Sequence, residues 1–583
     1  MEQQEVLSKA QEWVNNSAID NADRQDIQAL IDQNNISELT ERFYKDLEFG
    51  TGGLRAILGN GSNRINKYNI RRATQALINA VKKATTDESL SLAISYDSRK
   101  FSKEFSQEVA SVCAANGVKA YLYSHLNPVA LLSFAVRYYK CHAGVMVTAS
   151  HNPPKYNGYK VYWSDGAQVT PPNDQDVIDQ YNSLNDWSKV HHIDYAEGVK
   201  NNLIEEISTE VEAAYFETIK QKTINPEMCA EHGKDLNIVF TPIHGTGLIP
   251  CKRALEQIGF NSILVPEEQA QPDERFPTVT SPNPENPEAL AMAVELMDKN
   301  NADIVFGTDP DTDRLGVAIR HNGELFYPTG NQIGTLMLHY LFSNSEIPEN
   351  SYFVKTIVTT DLQRKIADHF GVKTENTLTG FKWICGLMKT IEETQPERNF
   401  LFGTEESFGY LNHPSVRDKD GVSAVALMAE VTLWYKRQGL NLVQALDKIY
   451  EQFGFHHEHL LCLEMEGKDG LEKIQRIMTY FRENVHYEFN GLPLSEIEDY
   501  QIGQKKNLES GNSTSLDQPK SNVLGLYFTS GDIVYLRPSG TEPKIKFYLM
   551  VQDSSGDLEK SKKESADKVT SYVAAIKKVA DEI

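Results

Sequence analysis

Residues 91–149 hold three short apolar runs, SLAISY (91–96), VKAYLY (118–123) and AGVMVTA (143–149). Two stretches of helical periodicity, 103–116 and 129–139, lie between them. The same order returns with strands expected at 236–240, 262–265 and 304–307 and helices at 249–258 and 287–299. It returns a third time with strands at 352–358, 372–377 and 400–403 and helices at 361–370 and 383–393. Apolar, β-branched runs alternating with amphipathic helices indicate mixed or parallel sheets covered on both faces. The remainder has a different order. A helix is expected at 471–483, a polar loop at 505–521, strands at 523–529, 532–536 and 544–551, and a charged terminal helix from 558. The expected fold is therefore α/β, with three similar mixed- or parallel-sheet domains followed by a smaller α+β domain. The corresponding boundaries are 1–205, 206–325, 326–450 and 451–583, and a chain of 583 residues has room for about four domains.

Composition narrows the function. Fifty-eight Lys and Arg against 81 Asp and Glu leave a net charge of -23, which repels nucleic-acid backbones and anionic membranes. No stretch approaches the roughly 20 apolar residues of a membrane-spanning helix, and the acidic start MEQQE lacks the bases of a signal peptide. A cytoplasmic location is expected. Six cysteines, none in a CxxC pair, suit a reducing compartment and are expected to be inert core thiols.

Ligands of open α/β sheets gather beyond the carboxyl ends of strands. The third strand of each block leads into a different polar constellation there. In the second block it is Asp309, Asp311 and Asp313, followed by Arg314. In an extended segment the i, i+2, i+4 spacing turns three carboxylates to one side, where their repulsion calls for a hard divalent cation. A solvated acidic turn is the alternative, whereas an EF-hand fails because Arg314 stands where Gly is required. Mg²⁺ suits few, all-oxygen ligands.

In the first block Ser150 follows the strand, with His151 beside it and Lys160 expected in the same loop. A lone serine there is ordinarily a turn residue or cap, and no G-x-S-x-G surrounds it. Near a divalent metal, however, its hydroxyl could carry a phosphoryl group, with Lys160 as acid, base or charge clamp. His151 would point elsewhere in an extended segment. In the third block Glu405 and Ser407 offer hydrogen bonds to sugar hydroxyls, and Lys382 offers a base able to reach phosphate. In the last domain Arg537, Ser539, Gly540 and Thr541 lie in a Pro/Gly turn, where a guanidinium, hydroxyls and backbone N–H groups can converge on phosphate. FGTGGLR (49–55) holds Arg55 but is not G-x-G-x-x-G, and no GxxxxGK[ST] P-loop occurs. His456, His457, Glu458 and His459 do not form HExxH and are expected on a solvated strand or turn.

TASHNPPKYNGYK, GTDPDTDRLG, GTEESFGY and RPSGTEPKIKF occur in that order. On these strings nearly the whole chain resembles the α-D-phosphohexomutase family, the phosphoglucomutases and phosphomannomutases. The resemblance implies four domains around one central cleft and an intramolecular phosphotransferase of the isomerase class. It implies Ser150 as the phosphoserine, with Arg55, Lys160 and Arg314 near the reacting phosphate and His151 in the same catalytic group. Mg²⁺ would be held by Asp309, Asp311, Asp313 and an oxygen on Ser150. Glu405 and Ser407 would grip the sugar, Lys382 would contact sugar and phosphate, and Arg537, Ser539, Gly540 and Thr541 would hold the non-reacting phosphate. With Lys544, the cations Arg55, Lys160, Arg314, Lys382 and Arg537 would make the cleft locally attractive to phosphate.

The reaction this implies interconverts α-D-glucose 1-phosphate and glucose 6-phosphate, with glucose 1,6-bisphosphate as primer and intermediate. The DPDTD string departs from the commoner glycine-containing metal loop while keeping three carboxylates, and Pro310 stiffens it. GTEESFG is nearer the glucose-preferring pattern, whereas FGTGGLR and TGFK also resemble a long-chain subgroup with phosphopentomutase-like members. Phosphomannomutase and phosphopentomutase activities by the same mechanism therefore stay open. So do a metal-dependent phosphatase with an aspartyl nucleophile and an inactive sugar-phosphate-binding protein. The expected partners are small sugar phosphates, with no nucleic acid or membrane, and the expected state is a monomer or weak homodimer.

Overall fold

The computed structural model describes residues 3–50, 52–465, 467–485, 488–539 and 544–583. It divides into two compact units. One comprises residues 1–330, 381–403 and 407–434, and the other 331–380, 404–406 and 435–583.

In the first unit, three amphipathic helices (Gln3–Asn15, Asn21–Asp32, Ile36–Phe43) precede the first sheet and bury Val6, Trp13, Ile27, Leu39 and Phe43 against Tyr68. The first sheet is built from β1 (Gly53–Ile57), β2 (Ser91–Tyr96), β3 (Lys119–Leu122), β4 (Ala143–Val147), β5 (Tyr156–Trp163) and β6 (Ile204–Glu206), in the order β1-β5-β4-β2-β3-β6. β2 pairs in parallel with β3 and β4, and β3 does so with β6. β4 is buried throughout, as both covered faces of the sheet require. The chain then reverses, and β5 runs antiparallel between β4 and β1. Lys160 is thus not a loop residue. It lies on β5, opposite Met146 on one side and Gly53 on the other. Gly53 adopts φ +124, and a Cβ there would lie 1.8 Å from the Tyr159 carbonyl oxygen, so the close approach of β1 to β5 needs a glycine.

The second sheet repeats the plan with β7 (Ile238–Thr241), β8 (Ile263–Leu264), β9 (Ile304–Thr308), β10 (Leu315–His321) and β11 (Glu324–Phe326), ordered β11-β10-β9-β7-β8. β7, β8 and β9 are parallel, and β10 turns back antiparallel to β9. In both sheets the reversal after the last parallel strand fixes the polar turn at the sheet's carboxyl edge. The third block supplies β12 (Ser351–Thr356) and β13 (Lys373–Thr377), a parallel pair in the second unit, followed by β14 (Asn399–Glu405) and β15 (Gly409–Leu411).

The second unit ends in an antiparallel sheet of β16 (Phe455–Glu464), β17 (Glu488–Phe489), β18 (Leu492–Asp499), β19 (Gln504–Asn507), β20 (Ser513–Ser515), β21 (Leu524–Phe528), β22 (Ile533–Pro538) and β23 (Lys544–Asp553). The helix Leu558–Glu582 packs on this sheet, burying Val569, Tyr572 and Ile576. The stretch expected as a polar loop at 505–521 holds most of β19 and all of β20, whose polar residues pair through backbone and need no apolar side chains. Five cysteines are buried, but Cys462, on β16, is exposed.

The HHEH string is likewise not simply solvated. It lies on β16 with His456 buried, and His459 alone among the four is fully outward. Burial pushes the Glu458 carboxyl up to about 7, with a Thr360 hydrogen bond and Lys355 opposing the rise. Its folded value lies above the ordinary 4.5, so ionised Glu458 destabilises the fold fully above pH 7, and this penalty disappears below about pH 4.5. Glu458→Gln is therefore expected to stabilise the protein at pH 8 by up to about 3 kcal/mol, with the gain shrinking below about 1 kcal/mol by pH 5. Urea unfolding at the two pH values checks this, and a gain independent of pH would show that the charge is not its source.

Candidate functional site

The turn leaving β4 places Ser150 at φ +49, a left-handed conformation uncommon for a residue with a side chain, and buries it to 3% exposure. The backbone is therefore not extended here, and His151 does not point away. Its Nδ1 lies 3.2 Å from Ser150 Oγ. Burial, reinforced by Arg314 and Arg55, holds the imidazole well below its ordinary range, so it is neutral at pH 7. Ser150 Oγ donates to Asp309 Oδ2 at 2.8 Å. Arg55, on β1, donates to Asn152 Oδ1 at 2.9 Å and so reaches the same turn.

The aspartates converge by a turn rather than by strand alternation. Thr312 has φ +53, and its N–H donates to the Asp309 carbonyl at 2.9 Å. The N–H groups of Asp313 and Arg314 donate to Asp309 Oδ1 at 3.0 and 3.2 Å. One carboxylate oxygen from each aspartate falls within 4.8 Å of the others, and all three residues are buried. Burial and the neighbouring Asp313 and Asp311 charges raise the Asp309 carboxyl well above its usual range. Burial also opposes ionisation of Asp313, but Lys419, Lys160 and Arg314 outweigh it and hold that carboxyl low. Asp311 Oδ1 and Asp313 Oδ1 are buried without a hydrogen-bond partner among the described residues. Orphaned, all-oxygen donors in a buried anionic turn fit a hard divalent cation.

Two lysines face this turn. Lys160 Nζ lies 2.6 Å from Asp311 Oδ2 and 3.3 Å from Asp313 Oδ2. Burial opposes its charge, but these two carboxylates prevail and keep the ammonium above its ordinary range. The second is Lys419, which sequence reasoning missed, with Nζ 3.2 Å from Asp313 Oδ2. Its loop is held to the aspartate turn by a Gly421 N–H donating to the Thr312 carbonyl, where a Cβ on Gly421 would meet that oxygen at 2.6 Å. Asp418, beside it, accepts from Tyr162 Oη at 2.6 Å and Gln168 Nε2 at 2.9 Å. The run RDKDG (417–421) was the available signal, but nothing in it says which element it faces. Arg314 bonds to the Glu285 carboxylate, and its Nε stands 3.8 Å from Asp313 Oδ1.

The remaining expected residues occupy other surroundings. Lys382 Nζ lies 3.9 Å from Asp174 Oδ2 and 4.8 Å from the centre of the Trp383 ring. Burial lowers its ammonium, with Asp174 opposing. Ser407 is partly buried in the first unit. In the second unit Glu405 is buried beside Glu406, whose Oε2 accepts from Thr356 Oγ1 at 3.0 Å. Burial raises the Glu406 carboxyl, while Lys546 and Arg537 pull it down. Arg537 lies on β22 opposite Lys546, and Ser539 N–H donates to the Lys544 carbonyl at 2.8 Å. Gly540 and Thr541 lie outside the described residues.

Three family models match the chain. They are phosphoglucomutase/phosphomannomutase alpha/beta/alpha domain I at residues 46–186, domain II at 213–323 and domain III at 329–453. A phosphoglucomutase of Staphylococcus epidermidis is 35% identical over 544 residues, spanning 93% of this chain and 97% of the relative. One from Staphylococcus aureus is 36% identical over 529 residues, spanning 90% and 93%. Among solved structures, Paramecium pp63/parafusin, a phosphoglucomutase, aligns with a TM-score of 0.70 at 18% identity over 92% of this chain and 96% of its own. A phosphoglucomutase/phosphomannomutase family protein of Burkholderia thailandensis aligns with a TM-score of 0.63 at 16% identity, covering 91% and 97%. No helix among the described residues is long and apolar enough to cross a membrane.

If the three aspartates form a cation site, Asp311→Asn should weaken Mn²⁺ binding about tenfold or more, with the far-UV dichroism unchanged. Calorimetric titration measures this, and an unaltered affinity would exclude the triad.

Proposed function

Because this chain belongs to the phosphoglucomutase/phosphomannomutase family of α-D-phosphohexomutases, we propose that it interconverts α-D-glucose 1-phosphate and glucose 6-phosphate with Ser150 as phosphoryl carrier. As a phosphohexomutase it is an isomerase. The observation that carries the assignment of Ser150 is its hydrogen bond to Asp309, in a turn where Asp311 Oδ1 and Asp313 Oδ1 are buried without hydrogen-bond partners among the described residues.

In the proposed cycle, phosphorylated Ser150 loses its phosphoryl group to the free hydroxyl of the bound sugar phosphate. A sugar O–P bond forms, the Ser150 Oγ–P bond breaks, and the proton lost by the sugar hydroxyl passes to the freed Ser150 Oγ. Glucose 1,6-bisphosphate results, turns end for end, and returns its other phosphoryl group to Ser150. Neutral His151, 3.2 Å from Oγ, is the group proposed to accept the proton, and the Lys160 ammonium to donate one or to clamp charge. Asp309, Asp311, Asp313 and an oxygen on Ser150 would hold Mg²⁺, whose bound charge neutralises phosphoryl oxygens during transfer. Arg55 and Arg314 are proposed to hold the reacting phosphate. Glu405 and Ser407 would take the sugar hydroxyls, and Lys382 the sugar and phosphate. Arg537, Ser539, Gly540 and Thr541 would take the non-reacting phosphate, and Lys544 would add to the attraction.

The same reading divides the chain at 205, 325 and 450 and places it in the cytoplasm as a monomer or weak homodimer. Small sugar phosphates would be its partners, without nucleic acid or membrane. These assignments rest on the family, the charge of -23 and the sparse cysteines.

Ser150→Ala is expected to reduce turnover at least about a thousandfold while the protein stays folded. Mass analysis of the trapped wild-type enzyme should find phosphate on Ser150; phosphate on Asp309 would favour the phosphatase chemistry instead. Parallel kinetics on glucose 1-phosphate, mannose 1-phosphate and ribose 1-phosphate, with bisphosphate primer and Mg²⁺, should rank glucose first. A higher kcat/KM for mannose or ribose phosphate would reassign the sugar.

A further inference from the structure

Behind the serine turn, just past the end of the strand next to β4, lies an ion pair that the proposed cycle leaves unused. Asp97 and Arg99 follow β2, and both side chains are fully buried, with Arg99 Nε 3.3 Å from Asp97 Oδ2. Asp97 is itself fixed, because its Oδ1 accepts from the Arg99 N–H at 2.9 Å and from Ser102 Oγ at 2.8 Å. The Arg99 guanidinium spreads over the backbone of the serine turn. Nη1 donates to the carbonyls of Pro153 and Tyr156, each at 3.1 Å, and Nη2 donates to those of Ser150 and Asn152. The ring of Phe276, from the second block, lies 5.0 Å below the guanidinium carbon.

The other half of the pair reaches the same residue by a second route. Asp97 Oδ2 accepts from Thr148 Oγ1 at 2.6 Å, and that hydroxyl oxygen accepts from the Ser150 N–H at 2.8 Å. Both backbone polar groups of Ser150 therefore hang from one buried ion pair, the carbonyl directly and the N–H through Thr148. Ser150 has φ +49, a conformation that costs about 1 kcal/mol or more unless its surroundings impose it. Four carbonyls gathered by one planar cation impose it. An ammonium has neither the fork nor the span to replace that cation.

We propose that Arg99, anchored by Asp97, is the positioning residue that holds Ser150 in its left-handed turn and so aims its hydroxyl at the aspartate triad. The inference rests on the reading of Ser150 as phosphoryl carrier. Arg99 touches no reacting atom and acts only through the turn. A change there should therefore lower the rate of transfer and leave binding of the sugar phosphate alone. A cavity of about 890 Å³, whose lining includes Asp97, Arg99, Phe101, Asp273 and Arg275, lies beside the buried pair, and removing the Arg99 side chain would open a route from it for a small cation.

The test is steady-state kinetics on the full chain with bisphosphate primer and Mg²⁺. Arg99→Ala and Arg99→Lys are expected to lose about 100-fold in kcat, with KM within about twofold of the wild type. Methylguanidinium should restore about tenfold of the rate of Arg99→Ala, entering through the cavity, and none of the rate of Ser150→Ala. A folded Arg99→Ala with kcat near the wild-type value, or one whose loss lies in KM and ignores methylguanidinium, overturns the inference. If neither Arg99 variant folds, Thr148→Val decides, because it cuts the path to the Ser150 N–H and leaves the ion pair whole. It should lower kcat about tenfold at constant KM, and an unchanged kcat counts against the proposal. Wild-type turnover in the same assay separately tests the mutase reading, so the failure of one is distinguishable from the failure of the other.

Discussion

Three carboxylates share one buried turn, and the architecture of the first unit follows from the need to compensate them. Asp309, Asp311 and Asp313 each approach full burial, where an uncompensated charge is far costlier than at the surface. The compensation comes from separate parts of the sequence: Lys160 from β5, Lys419 from the 416–421 loop, and backbone N–H groups from the turn itself. Ser150 is brought against the same turn from the end of β4. A hydroxyl, two ammonium groups and three carboxylates thus meet because each finds its strongest partners there. A bound cation of charge two adds to this balance and does not create it.

How much of this was legible in the sequence depended on whether a feature was local. The three repeated blocks were legible because apolar runs and helical periods are short-range patterns, and the rule that ligands gather at strand ends led directly to Ser150 and the aspartates. What failed was direction. Ser150 and Thr312 both take left-handed φ values, so spacing arguments for an extended chain gave the wrong aim for His151 and the wrong reason for the convergence of the aspartates. Lys160 belongs to a strand that reverses into the middle of the sheet, and YNGYKVYW does not say that its neighbours are β1 and β4. Lys419, Asp97 and Arg99 were passed over for a related reason. Their partners lie 106, 51 and 51 residues away, at Asp313, Thr148 and Ser150, and no local window contains both ends.

The second unit shows the same limit in a different setting. HHEH on β16 looks polar in one dimension, yet cover changes along the strand, from buried His456 through half-buried His457 and Glu458 to exposed His459. His456 and the Glu458 carboxyl fall on the covered side, where burial moves their protonation in opposite directions. The histidine is pushed down to about 4 and the carboxyl up to about 7, each toward its neutral form. Both residues are therefore uncharged over the same acidic range, and a string that reads as charged behaves in the fold as a set of neutral dipoles.

A chain carrying -23 must still attract a dianionic sugar phosphate to act on one. The physical answer lies in where the charges are. Exposed acids act through water and salt, so their field fades within roughly 8 Å at physiological ionic strength. Lys160 and Lys419 are buried in a medium that screens them much less, and Arg55 and Arg314 stand within the same unit beside the serine turn and the aspartate turn. Near Ser150 the local balance is therefore set by these cations and Arg99 against the three aspartates with Glu285, Asp418 and Asp97, and the surface excess of acid has little voice there. A divalent ion held by the three carboxylates would offset part of their charge, and so make the same turn more receptive to an anion.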